Sequence, residues 1–220
     1  MRLVLASNNP GKLVELQALL APLAIELVAQ SALGVDEAEE PHVTFLENAL
    51  AKARHAARAA SGAAIADDSG LCVDALGGAP GVASAHFAAI EKRPDDDREA
   101  HRRRQDEANN ASVLAQLRGH RDRRARFVST LVAVRRHDDP EPLVAVGRWE
   151  GEVLESPRGS GGFGYDPLLY LPSFGRTVAE LDRDTKNRMS HRAEAARAML
   201  VLMRVVWGLR DPASQSASGR

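Results

Sequence analysis

The chain has 220 residues, 44% of them hydrophobic, and its 29 basic and 30 acidic side chains give a formal net charge of -1. This length and apolar content allow a sizeable core and exclude a chain that is disordered throughout. The balanced charge argues against a dedicated nucleic-acid binder, although a small anionic ligand could still bind in a local basic site. The single cysteine, Cys72, excludes an intramolecular disulfide and is typical of a reducing compartment, where we expect an inert buried thiol.

The first predicted elements are a strand over residues 2–6, a polar turn and a helix over residues 10–20. The apolar start is too short for a signal peptide or a membrane span, so a cytoplasmic protein with no membrane partner is expected. Asn9 suits the N-cap and Pro10 the first helical position. Free N–H groups at this helix start, with Lys12 beside them, could bind phosphate; the alternative is an ordinary strand-to-helix turn.

Next comes a predicted strand over residues 25–29, followed by an acidic segment over 36–40, which is either a solvated loop or the source of a metal ligand. Thr44 and Glu47 form the pattern of a capping box, which predicts a helix that ends near residue 60. Asn48 and Lys52 are spaced to share one face of that helix. They either reach a site or belong to a solvated stripe.

Residues 64–81 carry two adjacent carboxylates, Asp67 and Asp68, between two short apolar runs. Charge at the end of a buried strand is costly unless it has a partner. Neighbouring strand positions face opposite ways, so we expect one aspartate to face a cleft and the other to anchor a turn. The alternative is an Asx-type turn between two strands.

The second half of the chain begins with a strongly charged segment over residues 90–119, for which we expect a mobile loop and a solvated helix, the helical pattern resuming at Val113. Residues 125–134 and 143–154 are rich in β-forming residues and are separated by a polar turn with two prolines. They predict a hairpin and therefore a mixed sheet.

Residues 157–167 contain four glycines with Phe163 and Tyr165 between them, a pattern that suits stacking on a flat ligand. The alternative is a hairpin loop with anchoring aromatic side chains. Lys186, Arg188, His191 and Arg192 cluster just before a final predicted helix over 190–209, where a negatively charged or acceptor-rich ligand would explain them. Residues 210–220 are expected to be a disordered tail of a single domain spanning 1–209.

Carboxylates without softer ligands favour Mg²⁺, which in turn favours phosphate oxygens. A flat ligand that carries phosphates and Mg²⁺ is a nucleoside triphosphate. The segments SNNPGKLVEL, TFLENALAKA, ADDSGLCVDALGGAPG, GSGGFGYDPLLYLP, TVAEL and KNRMSHR resemble, in this order, the motifs of the HAM1/RdgB family. These proteins are inosine/xanthosine triphosphate pyrophosphatases, and the resemblance covers residues 2 to about 208.

The resemblance implies an α/β fold with a long mixed central sheet flanked by helices, two lobes with the active-site cleft between them, and a homodimer. It implies hydrolysis of ITP, dITP and XTP to the monophosphate and pyrophosphate, with Asp68 as general base and metal ligand. Glu40, or alternatively Glu39, would be the second Mg²⁺ carboxylate. The implied substrate-binding residues are Ser7, Asn8, Asn9, Pro10, Gly11, Lys12, Lys52 and Ser69 for the phosphates, Phe163, Gly164, Tyr165 and Asp166 for the base pocket, and Lys186, His191 and Arg192 for the base edge.

Two other interpretations stay open at this point. One is a nucleotide-binding sensor on the same scaffold, and the other is an enzyme of this fold with a different triphosphate substrate. The carboxylates at positions 39, 40, 67 and 68 argue against the sensor. His86 stands where many relatives have arginine, so no cationic role is assigned to it, and no residue explains the rejection of GTP.

Overall fold

The computed structural model describes residues 1–23, 25–91, 93 and 96–209, so the predicted tail over 210–220 lies outside the described residues. The described strands are β1 (Arg2–Leu5), β2 (Glu26–Ala29), β3 (Ala64–Val73), β4 (Arg124–Val134), β5 (Leu143–Val153), β6 (Leu169–Leu171) and β7 (Arg176–Thr177). The described α-helices are α1 (Pro10–Leu20), α2 (Phe45–Ala59), α3 (Arg98–Gln116), α4 (Arg183–Met189) and α5 (His191–Val206). None of these helices combines the length and apolar character that a membrane span requires.

The strands form a mixed sheet flanked by helices, in the order β2-β1-β3-β4-β5-β6-β7 within the described residues. β1 pairs in parallel with β2 and with β3, whereas β6 pairs antiparallel with β5 and with β7. The expected mixed sheet is therefore confirmed. The predicted hairpin strands correspond to β4 and β5, which are neighbours in the sheet.

The chain divides into two compact units, and each has its own core. The first contains Met1–Asp68, Ser129–Gly147 and the described residues from Met189 onward, and the second contains Ser69–Val128 and Arg148–Arg188. In the first unit α1 and α5 pack on one apolar cluster, and the buried alanines of α2 pack on another. The second unit buries apolar side chains of α3 with those of β3, β4 and β5.

The helix starts follow the chemistry of their caps. The Asn9 side chain accepts hydrogen bonds from Gly11 N–H and Lys12 N–H, with Pro10 at the first helical position as predicted. Thr44 Oγ1 accepts from Glu47 N–H at 3.2 Å and donates to the Glu47 carboxylate at 2.6 Å, so the predicted cap of α2 is confirmed. Ser190 caps α5, as expected.

Two predictions of local structure are wrong, and one short helix was not predicted. Asp67 and Asp68 lie inside one continuous strand, β3, so neither carboxylate anchors a turn. Helix α3 begins at Arg98, well before Val113, and buries Gln105, Asn109 and Asn110 instead of being merely solvated. The basic segment before α5 forms a helix of its own, α4. The apolar pattern missed the start of α3 because its buried positions there are polar.

Candidate active site

The two aspartates of β3 have different partners, because successive strand residues face opposite sides of the sheet. Asp67 is 1% exposed and Asp68 is 5% exposed. Since a buried carboxylate loses its hydration, each needs compensating charge or hydrogen bonds. All the partners described below for these two residues belong to the first unit.

Asp67 is surrounded by positive charge. Its Oδ2 lies 3.0 Å from Lys12 Nζ and 3.1 Å from Arg192 Nε, and its Oδ1 accepts a hydrogen bond of 2.7 Å from Ser129 Oγ. Arg192 also pairs with the Glu15 carboxylate of α1. Burial alone would raise the pKa of Asp67, but Lys12, Arg192 and the Ser129 hydroxyl hold it well below the usual range. The charged form of Asp67 is therefore favoured, and Asp67 is a structural centre that joins β3 to α1, β4 and α5.

Asp68 has fewer compensating contacts. Lys52 Nζ lies 2.7 Å from Asp68 Oδ1 and 3.1 Å from Glu40 Oε2, so one ammonium group bridges two carboxylates. Asp68 Oδ2 is buried and has no hydrogen-bond partner among the described residues. An unsatisfied anionic oxygen beside a second carboxylate is suited to accept a cation or a proton.

The electrostatics of this group follow from its geometry. Burial raises the pKa of Asp68 to about 6; the Lys52 ammonium opposes the rise, and the Glu40 carboxylate adds to it. Burial also acts on Glu40, but Lys52 outweighs it, so the pKa of Glu40 is lowered. Burial would lower the pKa of Lys52, and the two carboxylates raise it above its usual value. The protonated form of Asp68 is therefore favoured more than that of an exposed aspartate.

A polar cavity of about 80 Å³ lies beside these groups in the first unit. Its lining residues come from the turn after β1, from α1, from residues 30–40, from α2 and from β3: Ala6, Ser7, Lys12, Gln30, Glu37, Ala38, Glu40, Lys52 and Asp67. This volume can hold water molecules or a hydrated cation but not a nucleotide. Asp68 is not a lining residue, and it contacts the cavity through Lys52.

Asn48 fixes the segment that carries Glu40. Its side chain accepts from His42 N–H at 3.0 Å and donates to His42 C=O at 3.2 Å, and it is 1% exposed. Asn48 and Lys52 are therefore both buried, and the solvated-stripe alternative for α2 is excluded. Glu40, not Glu39, is the residue that the structure pairs with Lys52.

The turn over residues 7–12 is the predicted phosphate-binding segment. Three of its N–H groups are already engaged: Gly11 and Lys12 donate to Asn9 Oδ1, and Asn9 N–H donates to Ser7 Oγ. The expectation of free N–H groups at the start of α1 is therefore wrong for Asn9, Gly11 and Lys12. The Lys12 ammonium remains the feature that can attract phosphate, and it lies on the cavity wall.

In the second unit, the glycine-rich loop over 157–167 brings together three of the predicted site residues. Asp166 is buried, and its Oδ2 accepts from Lys186 Nζ at 2.7 Å and from Phe163 N–H at 3.0 Å. The Lys186 ammonium also lies 4.7 Å from the centre of the Phe163 ring. Asp166 and Lys186 thus fix the backbone and one side of the ring of Phe163, which is only partly buried.

Three glycines of this loop, Gly159, Gly162 and Gly164, have positive φ angles. Gly162 and Gly164 have φ angles of +75° and +62°, which side chains with a Cβ rarely adopt. A Cβ at Gly162 would also collide with the Asp166 carboxylate. Tyr165 is 5% exposed and donates to Ser84 C=O at 2.9 Å. Tyr165 is therefore an anchoring aromatic, as the alternative interpretation of this loop expected, whereas Phe163 is not.

The remaining predicted residues are distributed as follows. His191 is buried at the first position of α5 in the first unit, and Arg192 is 2% exposed among the carboxylates described above. Ser69 follows Asp68 on β3 and is partly buried. Roles for these three residues on a base or a phosphate stay predictions. The sequence patterns did not identify four further residues of these sites, because each contacts a partner that is distant in the chain: Glu15, Asp106, Asn110 and Ser129.

Solved structures with this arrangement of a mixed sheet and flanking helices are already known. A HAM1 protein from Coxiella burnetii is 41% identical, with a TM-score of 0.82, over 92% of this chain and 98% of the other. The Ham1 protein of Staphylococcus aureus is 35% identical, with a TM-score of 0.79, over 93% of this chain and 98% of the other. The α/β fold therefore defines the class to which the chain belongs.

The Ham1 family model matches residues 3–202, and the chain belongs to the Ham1 family. A dITP/XTP pyrophosphatase of Methylibium petroleiphilum is 66% identical over 207 residues, which are 94% of this chain and 99% of that protein. A dITP/XTP pyrophosphatase of Leptothrix cholodnii is 66% identical over 95% of this chain and 100% of that protein. The resemblance seen in the sequence motifs is confirmed.

Proposed function

We propose that this protein is a nucleoside-triphosphate pyrophosphatase that hydrolyses the non-canonical purine triphosphates dITP, XTP and ITP to the monophosphate and pyrophosphate. The observation that carries this proposal is Asp68, whose pKa is raised to about 6 and whose Oδ2 is buried without a partner among the described residues. Membership of the Ham1 family and the names of its relatives supply the substrate class.

Mg²⁺ is the cofactor that we propose, with Asp68 and Glu40 as its protein ligands. The described residues contain no cluster of three or more His, Cys, Asp or Glu that could hold a metal ion. Two hard carboxylates suit Mg²⁺, which usually keeps several waters and takes further oxygens from phosphates. Asp68 Oδ2, which has no hydrogen-bond partner among the described residues, could accept a bond to the metal ion. Lys52 Nζ already lies between the Asp68 and Glu40 carboxylates, so the two carboxylates are close enough to share a cation. When bound, Mg²⁺ neutralises negative charge that develops on the phosphates.

In the proposed reaction Asp68 is the general base. It takes a proton from a water molecule, the water oxygen bonds to the α-phosphorus, and the bond from that phosphorus to the bridging oxygen breaks. The electron pair of that bond leaves with pyrophosphate. A carboxylate with a pKa near 6 is ionised at neutral pH and still accepts a proton effectively.

Charge from the chain supports this step. Lys52 and Lys12 lie on the wall of the polar cavity, and their ammonium groups would balance the phosphate charge. We propose that the turn over residues 7–12 and Ser69 contact the phosphates. Because the N–H groups of Gly11 and Lys12 already have an acceptor, the turn would bind phosphate through the Lys12 ammonium first.

The base is proposed to stack on Phe163, which Asp166 and Lys186 hold in place. Gly164, Tyr165 and Asp166 would shape this pocket. Inosine and xanthosine have an oxo group at position 6, where adenine has an amino group. A side chain such as Lys186, His191 or Arg192 would donate a hydrogen bond to the oxo group. The amino group would offer it no acceptor, and an unpaired buried polar group is costly. We also propose a cytoplasmic homodimer, for which light scattering is the test.

A substrate panel tests the proposed function. The enzyme is assayed with dITP, XTP, ITP, GTP and ATP in the presence of Mg²⁺, with products identified by mass and with excess chelator as the control. We expect monophosphate and pyrophosphate from the first three substrates at rates far above those for ATP. Equal rates on ATP and ITP would contradict the specificity, and tight binding of ITP without hydrolysis would identify a sensor.

A further inference from the structure

Helix α3 contacts both backbone polar groups of one residue in the glycine-rich loop, Gly164. Asp106 Oδ2 accepts a hydrogen bond of 2.9 Å from Gly164 N–H. Asn110 Nδ2 donates a hydrogen bond of 3.0 Å to Gly164 C=O. Asp106 and Asn110 are four residues apart, so they lie on the same face of the helix. All three residues belong to the second unit.

These two side chains are costly to bury. Burial raises the pKa of Asp106, and the Gly164 N–H and the charge of Arg102 oppose that rise. Asn110 is 8% exposed, and its Oδ1 is buried with no hydrogen-bond partner among the described residues. An apolar pair would pack a helix against a loop at less cost. Departures of this kind are expected where function constrains a position.

The loop is therefore fixed at two successive residues by different elements. Asp166 holds Phe163 N–H from within the loop, and α3 holds both polar backbone groups of Gly164. Gly164 has a φ of +62°, and a Cβ there would meet nothing within 4 Å, so conformation and not crowding requires the glycine. Residues that permit many conformations lose the most entropy when a ligand orders them, unless the protein orders them first.

We propose that Asp106 and Asn110 are positioning residues for base binding, which order the backbone of Gly164 so that the Phe163 ring is preset for the purine. This inference rests on the proposed function, in which Phe163 stacks on the base. It makes α3 a determinant of affinity for the nucleoside part of the substrate. The proposal does not extend to the next residue, Tyr165, because its hydroxyl group is held by the Ser84 carbonyl group.

The first test compares Asp106→Ala with two matched variants. Asp106→Asn keeps an oxygen that can accept from Gly164 N–H, and Glu107→Ala removes an exposed carboxylate from the same turn of α3. For Asp106→Ala we expect KM for dITP and the inhibition constant of IMP to rise about tenfold, with kcat changed less than threefold. Asp106→Asn and Glu107→Ala should resemble the wild type.

Inorganic pyrophosphate has no base, so its inhibition constant should not change in Asp106→Ala. Equal weakening of pyrophosphate and IMP, or a fall in kcat at unchanged KM, would overturn the proposal. Asn110→Ala provides a second, independent variant with the same expected pattern if Asp106→Ala does not fold.

Hydrogen exchange at the Gly164 amide tests the positioning without any substrate. We expect exchange to be at least tenfold faster in Asp106→Ala than in the wild type, and unchanged in Glu107→Ala. Equal exchange in Asp106→Ala and the wild type would overturn the proposal. If the wild type hydrolyses no triphosphate, the proposed function fails, whereas the exchange result still decides whether α3 orders the loop.

Discussion

Two neighbouring carboxylates of β3 show how one strand separates support from chemistry. Asp67 has two cations and a hydroxyl within hydrogen-bonding distance, and its pKa is held far below normal. Asp68 shares a single lysine with Glu40, retains an oxygen without a partner among the described residues, and has a pKa raised to about 6. The difference teaches that burial alone does not define a reactive carboxylate; incomplete compensation does.

The substitution Asp68→Asn should have the largest effect on activity. It keeps the shape of the side chain and removes the proton acceptor, so we expect kcat to fall by about 10²- to 10⁴-fold. The rate with dITP and Mg²⁺ measures this, and a urea unfolding curve shows whether the fold persists. A variant that kept wild-type turnover would move the general base to another residue.

Asp67→Asn should instead destabilise the protein. The substitution leaves the buried Arg192 and the partly buried Lys12 with less negative charge. Breaking a buried ion pair typically costs about 3–5 kcal/mol in the free energy of unfolding. Chemical denaturation measures the loss. If Asp67→Asn does not fold, Ser129→Ala removes one hydrogen bond to the same carboxylate at a cost of about 1.5–3 kcal/mol. Unchanged stability in Ser129→Ala would show that Asp67 is not the structural centre.

Glu40→Gln should have the smallest of the three effects. Removing one proposed ligand should raise the Mg²⁺ concentration for half-maximal rate by about tenfold or more, and saturating Mg²⁺ should restore much of the rate. Glu39→Gln is the matched control, since Glu40 and not Glu39 pairs with Lys52. A larger shift in Glu39→Gln would reverse the assignment of the two glutamates.

Much of the fold could be predicted from local chemistry. Asn9 and Pro10 marked the start of α1, Thr44 and Glu47 marked the start of α2, and the β-forming residues marked β4 and β5. Such signals work because a cap or an alternating strand is decided by residues close together in the chain. Only the second half of helix α3 was predicted, because its first buried positions, including Gln105 and Asn109, are polar. Their side chains donate hydrogen bonds to backbone carbonyl groups of residues 84–88.

The site was predictable as a set of residues but not as a set of pairings. The motifs selected Lys12, Lys52 and Asp68, and the structure brings Lys52 to Asp68 and Lys12 to Asp67. Arg192 illustrates the limit: its cation suggested a ligand, whereas its described partners are Asp67 and Glu15, more than 100 positions earlier in the sequence. No local pattern encodes such a pairing, because it depends on tertiary packing.

The continuity of β3 has a consequence for how this sequence can change. Side chains alternate along a strand with a period of two, so inserting or deleting one residue before Asp67 within β3 would exchange the faces of Asp67 and Asp68. Asp68 would then face Lys12 and Arg192, and Asp67 would lose its contacts with those two residues. The spacing of the strand is therefore under the same constraint as the two aspartates, and length variation should be confined to the connections outside it.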